Sequence, residues 1–375
     1  MFDRYLTKSA YCVKLYNVWK NNKKKERVKK MKKILLVIAC LVLTLALTAC
    51  GAKEAEYKLG MGVVTSLESS KAGNAQVDAT VAAVVTDAEG KIVACRIDVA
   101  QNKSKIENGA ATVNTTFKSK MELGDAYGMA GKVDNDGNGV MKEWYEQVHA
   151  FEAFVVGKTG AEVAAMETQF VNNHYITTDP ELLAAGCSMQ ITDFMAAVAK
   201  ACADEQGFTF MSTGEFTLGV AATSFDDGTT AATAEADGKV LMYTDFAASV
   251  VIEGKIAASI NDAIQPQVTY NAAGEITGKT YKGTKRELKE GYNMSTYGAS
   301  MDPNGDGKVL EWYLQSEAFS KHVVGMTGTE VAAMETATNS IGYQMSTDEA
   351  LLAAGCTIQI TAIKAVVAKS VANAK

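Results

Sequence analysis

Histidine is scarce in this sequence of 375 residues, which contains only His149, His174 and His322. The three do not cluster, so the sequence does not indicate a histidine-based catalytic centre or a haem site. Cysteine is also sparse: four cysteines follow Cys50, and no two of them form a CxxC pair. This spacing predicts neither a disulfide framework nor a zinc site. No set of catalytic acid and base residues stands out either.

Basic residues are few beyond the first fifty positions. Residues 1–50 contain 12 of the 37 Lys and Arg residues but only 2 of the 43 Asp and Glu residues. The rest of the chain therefore has 25 basic and 41 acidic side chains, a net charge of −16. Such acidity argues against nucleic-acid binding and is typical of a solvated protein outside the cytoplasm.

The N-terminal region has the pattern of a lipoprotein signal peptide. A charged segment begins at Met31, residues 34–47 are almost wholly apolar, and the segment from Leu47 to Cys50, followed by Gly51, is a lipobox. The pattern predicts that Cys50 is lipidated and holds the protein on the extracytoplasmic face of the cell membrane. A plain transmembrane anchor is the alternative, but the apolar run is short for a membrane span.

The limits of this signal region, residues 1–50, follow from the same pattern. Residues 1–30 are basic and precede the signal, so we interpret Met31 as the true start, with a longer charged region as the alternative. Residues 51–57 are expected to form a short polar tether that keeps the first domain close to the membrane.

Internal repetition is the strongest signal in the rest of the chain. Two segments recur at a constant offset of 168 residues: 143–147 with 311–315, and 155–168 with 323–336. The copies are predicted to extend over residues 58–205 and 214–375. Each copy has a size at which a domain can fold independently.

Each copy opens with strand-like alternation and then changes to helical periodicity. In the first copy, the alternation over residues 77–85 resumes after a turn at 87–90, which indicates a β-hairpin. Helical patterns follow over 118–127, 142–155 and 160–168. The sequence therefore predicts an α+β fold with two tandem repeats, each a small antiparallel sheet with helices packed on one side.

A Gly-Cys-hydroxyl motif closes each copy. Gly355 and Thr357 belong to the motif of the second copy, and Gly186 and Ser188 to that of the first. Alternation in the residues after Gly355 predicts a short strand, with Thr357 on one of its faces.

A helix is expected directly after each motif. Thr361 and Thr192 occupy the predicted N-cap positions, just before apolar helical patterns. Backbone N–H groups and the dipole at such a helix N-terminus favour a phosphate.

These motifs and the order of elements resemble the FMN-binding domains of bacterial electron-transfer proteins. In that family, a Ser-Gly-Ala-Thr type motif precedes a helix, and a flavin transferase esterifies its last hydroxyl to the phosphate of FMN. The resemblance implies covalent FMN on Thr357 and, with a more divergent motif, on Ser188, next to Gly355 and Gly186. The whole chain looks most like the two-domain flavinylated lipoproteins that Gram-positive bacteria use in extracellular electron transfer.

The resemblance implies a redox carrier on the cell surface rather than an enzyme with its own substrate site. A membrane dehydrogenase would reduce the flavin, and an extracellular acceptor would reoxidise it. The alternative is a flavin-free surface module in which the same repeats bind calcium, a glycan or a protein. A solute-binding lipoprotein is a third hypothesis, but duplicated domains of this size do not fit a two-lobed clamp.

An acidic loop precedes a Trp-Tyr pair in each copy. Its oxygen-bearing side chains at positions 1, 3 and 5, with glycine at position 6, match the first half of an EF-hand calcium loop. Position 12 is a tyrosine, and Glu143 or Glu311 would have to close the site instead. The other interpretation is a solvated turn that leads into a helix. The candidate calcium ligands are Asp134, Asp136, Asn138, Asp302, Asn304 and Asp306.

Trp144, Tyr145, Trp312 and Tyr313 follow these loops. A flavin ring would stack on such side chains. Their helical spacing from Phe151 and Phe319 favours packing in the core instead.

Overall fold

Antiparallel strands dominate the beginning of each half of the chain. The first sheet has the order β4-β3-β2-β1-β7, and its strands pair antiparallel throughout. The strands are β1 (Ala55–Ser66), β2 (Asn74–Thr86), β3 (Ile92–Glu107), β4 (Ala110–Ala111) and β7 (Phe208–Ser212). β1 already begins at Ala55, within the expected tether 51–57.

The described part of the chain covers residues 53–112, 117–132, 134–294, 309–339 and 342–375 of a computed structural model. The strands and helices from Ala55 to Lys375 belong to one compact unit. The lipobox with Cys50 and the second acidic loop with Asp302, Asn304 and Asp306 lie outside the described residues.

The second sheet is arranged around its longest strand, β9. Strand β8 pairs along one edge of β9, while β10 and then β11 pair along the other edge, and β12 follows β11. The strands are β8 (Thr217–Asp226), β9 (Gly238–Ile252), β10 (Lys255–Ile264), β11 (Gln267–Tyr270) and β12 (Ile276–Thr280).

Helices and a small hairpin follow the sheet strands in the same order in both halves. In the first half they are α1 (Lys120–Leu123), α2 (Trp144–Val155), α3 (Gly160–Ala164), the hairpin β5 (Thr168–Val171) and β6 (His174–Thr177), α4 (Pro180–Ala184) and α5 (Thr192–Cys202). In the second half they are α6 (Lys285–Leu288), α7 (Trp312–His322), α8 (Gly328–Ala332), the hairpin β13 (Thr336–Thr338) and β14 (Gln344–Ser346), α9 (Glu349–Ala353) and α10 (Thr361–Ala372). This mixture of helices and antiparallel sheets confirms the α+β prediction.

Alternate residues of the sheet strands enter different cores. In β2, Val81 and Ala83 pack in a core that contains residues of both sheets, whereas Ala82 and Val84 pack against helices of the first half. Helices of the second half form a further core with the second sheet. The two sheets therefore lie face to face, and helices cover the outer face of each sheet.

Two lysines join the halves through equivalent contacts. Lys200 in α5 bonds to Glu287 in the second half at 2.7 Å, and Lys369 in α10 bonds to Glu122 in the first half at 2.8 Å. Both glutamates belong to capping boxes of the short helices α6 and α1. The last helix of each half thus holds a short helix of the other half in place.

Candidate functional site

A left-handed glycine shapes each Gly-Cys-hydroxyl motif. Helix α9 ends at its C-cap Ala354, and Gly355 follows with φ +87°. The N–H of Gly355 donates to Leu352 O at 2.9 Å, which closes the helix end. Gly186 has φ +86° at the same place in the first half. Because side chains disfavour this conformation, glycine is the residue that suits both turns.

The expected strand after Gly355 does not form, so that prediction is wrong. The backbone N–H of Cys356 donates to Leu351 O in α9, while the N–H of Ile360 donates to Gln344 O in β14. Since these backbone groups bond to two different elements, they make no strand ladder. Helix α10 begins with Thr361, and its N-cap position is Ile360, which makes no side-chain capping bond.

The N-cap prediction in the first half is likewise displaced by one residue. Helix α5 begins with Thr192, and Ile191 occupies the N-cap position without a side-chain capping bond. Both threonines therefore belong to the first turn of their helices.

Both candidate hydroxyl residues are buried. Thr357 is 5 % exposed and Ser188 is 1 % exposed. The Oγ of Ser188 has no hydrogen-bond partner among the described residues. The prediction that Thr357 lies on a strand face is therefore wrong, because its backbone N–H and hydroxyl bond to a buried glutamine.

That glutamine, Gln315, is a positioning residue that sequence reasoning missed. Its Oε1 accepts the backbone N–H of Thr357 at 2.8 Å and the Thr357 hydroxyl at 3.3 Å. Its Nε2 donates to Leu310 O at 2.7 Å. A fully buried amide thus connects the beginning of α7 to the motif.

Gln147 makes the same connection in the first half. Its Oε1 accepts the backbone N–H groups of Ser188 and Met189 at 3.0 and 3.1 Å, and its Nε2 donates to Lys142 O at 3.0 Å. Both glutamines stand in the repeated Glu-Trp-Tyr segment. They recur at the same position of that segment, and this recurrence is the sequence signal that could have identified them.

Thr357 lines a cavity of about 220 Å³ in the second half. Aromatic side chains form much of its wall, and the loop between β13 and β14 contributes Tyr343. Lys285, Asp245 and Asp227 are its charged lining residues. The structure therefore places one predicted site residue, Thr357, beside an aromatic cavity with two acids and a base.

Lys285 is buried among three aromatic rings. Its Nζ lies 4.5 Å from the ring centroid of Tyr292, 4.7 Å from that of Tyr243 and 5.2 Å from that of Trp312. Ring faces attract a cation at such distances. Burial nevertheless lowers the pKa of Lys285 to about 8, while the negative charge of Asp245 opposes the decrease.

Asp245 lies in β9 and is 2 % exposed. Its Oδ2 has no hydrogen-bond partner in the described part of the chain. Burial raises the pKa of Asp245 to about 7, and the charge of Lys285 acts in the opposite direction. A residue that borders the cavity therefore carries a buried hydrogen-bond acceptor for which the described residues provide no donor.

The first half retains the lysine and two of the rings. Lys120 Nζ lies 4.8 Å from the ring centroid of Tyr127 and 5.4 Å from that of Trp144. These residues correspond to Lys285, Tyr292 and Trp312 in the order of elements.

Asp245 has no acidic counterpart in the first half. Asp98 and Asp262 are equivalent, because each accepts the N–H of its next residue and one N–H from α1 or α6. Asp98 pairs with Val81, and Asp262 pairs with Phe246, across the β2–β3 and β9–β10 ladders. The residue before Val81 is the buried Thr80, whereas the residue before Phe246 is Asp245. Thr80 therefore occupies the position in the first half that Asp245 occupies in the second.

The first acidic loop is closed by its own hydrogen bonds. Asp134 accepts the N–H groups of Gly137 and Gly139 at 2.9 and 3.0 Å, and Asp136 accepts from Asn138 at 2.7 Å. These bonds are typical of an Asx-type turn. Within the described ranges, no group of three or more His, Cys, Asp or Glu residues is placed to hold a metal ion. Calcium binding by the loops stays a prediction.

The glutamates proposed to close the calcium sites have other partners. Glu143 accepts the N–H groups of Met129 and Ala130, both at 2.9 Å. Glu311 accepts the N–H of Met294 at 2.8 Å. These carboxylates bond to the preceding backbone segments, and their closing of the acidic loops stays a prediction.

The tryptophans pack as the helical spacing indicates. Trp144 and Trp312 are buried, and Trp144 makes edge-to-face contacts with Tyr127 and Phe194 at centroid distances of 6.4 and 6.1 Å. Trp312 additionally borders the cavity. Trp312 therefore combines packing in the core with a position at the cavity.

Comparisons with known proteins add one distant relative. Over 143 aligned residues, the chain is 31% identical to a chlorophenol reductase of Desulfitobacterium hafniense. The alignment covers 33% of this chain and 42% of that protein, so the chain spans less than half of the relative's length. Neither a family model nor a solved structure matches the chain. No helix among the described residues is long and apolar enough to cross a membrane.

Proposed function

We propose that this protein is a lipid-anchored electron carrier of the cell surface that bears covalently bound FMN on Thr357. The observation that supports this function is the position of Thr357 at an aromatic cavity that also contains Lys285 and Asp245. The name of the distant relative, a reductase, is consistent with redox chemistry. Cys50 provides the lipid anchor, and the two halves are tandem copies of one FMN-binding-like unit.

The residues around the cavity fit the ring of a flavin. Small-molecule sites commonly measure about 300–1,000 Å³, so a cavity of about 220 Å³ suits the ring system rather than the whole cofactor. Thr357 Oγ1 would hold the phosphate as an ester, and Trp312 and Tyr243 would border the ring. When bound, the flavin supplies the electron-transfer chemistry, and the protein positions it and excludes water.

Burial of the acceptor hydroxyl places a condition on attachment. Thr357 is 5 % exposed, so a flavin transferase must act while the turn at Gly355 is locally open or before it closes. Ser188 is still less exposed, and the corresponding half lacks a counterpart of Asp245. We therefore propose Thr357 as the principal acceptor and Ser188 as the secondary one.

The partners follow from this role. A membrane dehydrogenase is the proposed electron donor, and an extracellular electron acceptor is the proposed oxidant. The acidic surface of the mature chain agrees with a location outside the cytoplasm. Replacement of Cys50 by Ala should release the protein from the membrane fraction or leave the precursor unprocessed.

Co-expression with a flavin transferase in the presence of magnesium tests the proposal. The purified protein should be yellow, and its intact mass should include one or two FMN units. Thr357→Ala should remove one unit, and the additional change Ser188→Ala should remove any remainder. A colourless parent protein without added mass would contradict the proposal and favour the flavin-free surface module.

A further inference from the structure

The strongest unexplained feature of the described residues is the buried, unpartnered Oδ2 of Asp245, a residue that borders the cavity. A buried acceptor without a partner loses its hydrogen bonds to water and gains none in return, so such atoms are rare in folded proteins. Asp245 Oδ2 is in this state among the described residues, and the side chain borders the cavity. A ligand that donates a hydrogen bond would remove this cost.

Lys285 adds the complementary group. Its ammonium is buried beside the same cavity, and its charge acts on Asp245. An ammonium donates hydrogen bonds, whereas an aspartate accepts them. Together the two side chains offer an acceptor and a donor, which is the complement of a ligand edge with an N–H donor next to a carbonyl acceptor.

The surrounding rings define the rest of the ligand. Tyr243, Tyr292 and Trp312 surround Lys285 and border the cavity, so a flat aromatic ring finds apolar contacts and ring faces there. A planar heterocycle with a ring imide combines both requirements, because its N–H lies between two carbonyl groups.

We propose that Asp245 and Lys285 are recognition residues for the imide edge of a planar aromatic heterocycle. Asp245 accepts the imide N–H, and Lys285 donates to an adjacent imide carbonyl. This inference deepens the proposed function, because the flavin ring contains such an imide. The first half, which has a threonine in the place of Asp245, lacks this carboxylate.

Two free flavins that differ in one group test the inference on protein made without flavin transferase. Lumiflavin has the imide N–H, whereas 3-methyllumiflavin has a methyl group in its place. Quenching of flavin fluorescence measures both affinities. We expect the unmodified protein to bind lumiflavin at least tenfold more tightly than 3-methyllumiflavin, because the methylated ring leaves Asp245 unpartnered. Equal affinities, or no binding of lumiflavin, would overturn the inference.

Variants test whether Asp245 and Lys285 cause the binding of lumiflavin and the discrimination against its methylated form. Asp245→Thr introduces the residue of the first half and should weaken lumiflavin binding at least tenfold and abolish the discrimination against the methylated ring. Lys285→Met should weaken lumiflavin binding as well. Lys120→Met changes the equivalent lysine of the first half and should leave both affinities unchanged. Thermal unfolding shows whether each variant is folded. If a variant does not fold, the comparison of lumiflavin with 3-methyllumiflavin on the unmodified protein still decides the inference.

The lumiflavin binding test and the FMN attachment test can fail independently of each other. If FMN is found on Thr357 but the two lumiflavins bind equally, only the imide inference fails. If lumiflavin binds with the expected discrimination but no FMN is attached by a transferase, the imide inference stands, and the covalent carrier function fails.

Discussion

Burial of Asp245 couples protonation of a single residue to the stability of the fold. Its ordinary pKa is 3.8, and burial raises the pKa in the folded protein to about 7. The folded state therefore holds a proton that the unfolded state releases between about pH 4 and pH 7. It follows that Asp245 makes the protein less stable as the pH rises through this window, by at most about 1.4 kcal/mol per pH unit.

Asp245→Asn should remove this part of the pH dependence. We expect the variant to lose less stability than the parent protein between pH 5 and pH 7.5, since asparagine does not titrate. Urea denaturation at a series of pH values gives the free energy of unfolding of both proteins. Because the charge of Asp245 also raises the pKa of Lys285, the difference between the two curves reports Asp245 together with its effect on Lys285. Parallel curves would contradict the assignment.

Gly355 is the residue whose backbone shapes the attachment turn. A Cβ at this position would lie 2.5 Å from Leu310 Cδ1, in addition to the strain of φ +87°. Gly254 has a similar φ of +78°, but a Cβ there would meet no atom within 4 Å. The two glycines therefore separate backbone strain from steric overlap.

Gly355→Ala should destabilise the protein more than Gly254→Ala. The backbone strain that both variants share is about 1 kcal/mol, and only Gly355→Ala also forces Leu310 to move. Chemical denaturation of the two variants measures the difference. Equal losses would show that Leu310 accommodates the methyl group without cost.

At the scale of elements, a buried amide connects α7 to the turn before α10. Gln315→Leu removes the acceptor of the Thr357 N–H and the donor to Leu310 O, so both backbone groups lose a buried partner. We expect a loss of about 2–4 kcal/mol in the free energy of unfolding.

Gln147→Leu provides a matched test, because Gln147 makes the same bonds in the first half. It should cost a similar amount, whereas Gln169→Leu at an exposed position of β5 should change stability by less than about 0.5 kcal/mol. If the two buried-glutamine variants unfold like the parent protein, the amides do not hold the turns.

Sequence patterns predicted the sheets and helices better than the segments between them. Alternation over 77–85 correctly indicated a strand, because one period-two pattern continued over many residues. The same pattern misled after Gly355, where the alternating segment is irregular because its backbone bonds to α9 at one end and to β14 at the other. Asp245 was not foreseen as a site residue, since its burial depends on helix α6 and on strands far away in sequence.

At the scale of the whole molecule, the two halves share a core that neither completes alone. Leu59 and Val81 of the first sheet pack in the same cluster as Phe246 and Tyr270 of the second. A largely buried ion pair between Arg286 and Asp204, with N···O at 3.1 Å, also joins the halves. Separation would therefore expose the inner face of each sheet, although each half has the length of a typical domain.

Residues 214–375 alone should consequently not form a stable monomer. The exposed inner face of the second sheet should cause aggregation or loss of a cooperative thermal transition. Addition of residues 53–213 should restore a soluble complex and the transition. Size-exclusion chromatography and circular dichroism measure both properties. A soluble, cooperatively melting monomer of 214–375 would show that the shared core is dispensable.

The central claim, that Thr357 carries FMN, is tested most directly by peptide mass spectrometry of protein co-expressed with a flavin transferase. Cleavage after lysine and arginine places Thr357 in the peptide 322–364 and Ser188 in the peptide 159–200. We predict the mass of an FMN phosphoester on peptide 322–364, with fragmentation that assigns it to Thr357. Unmodified peptide 322–364, or FMN located elsewhere in the chain, would contradict the account.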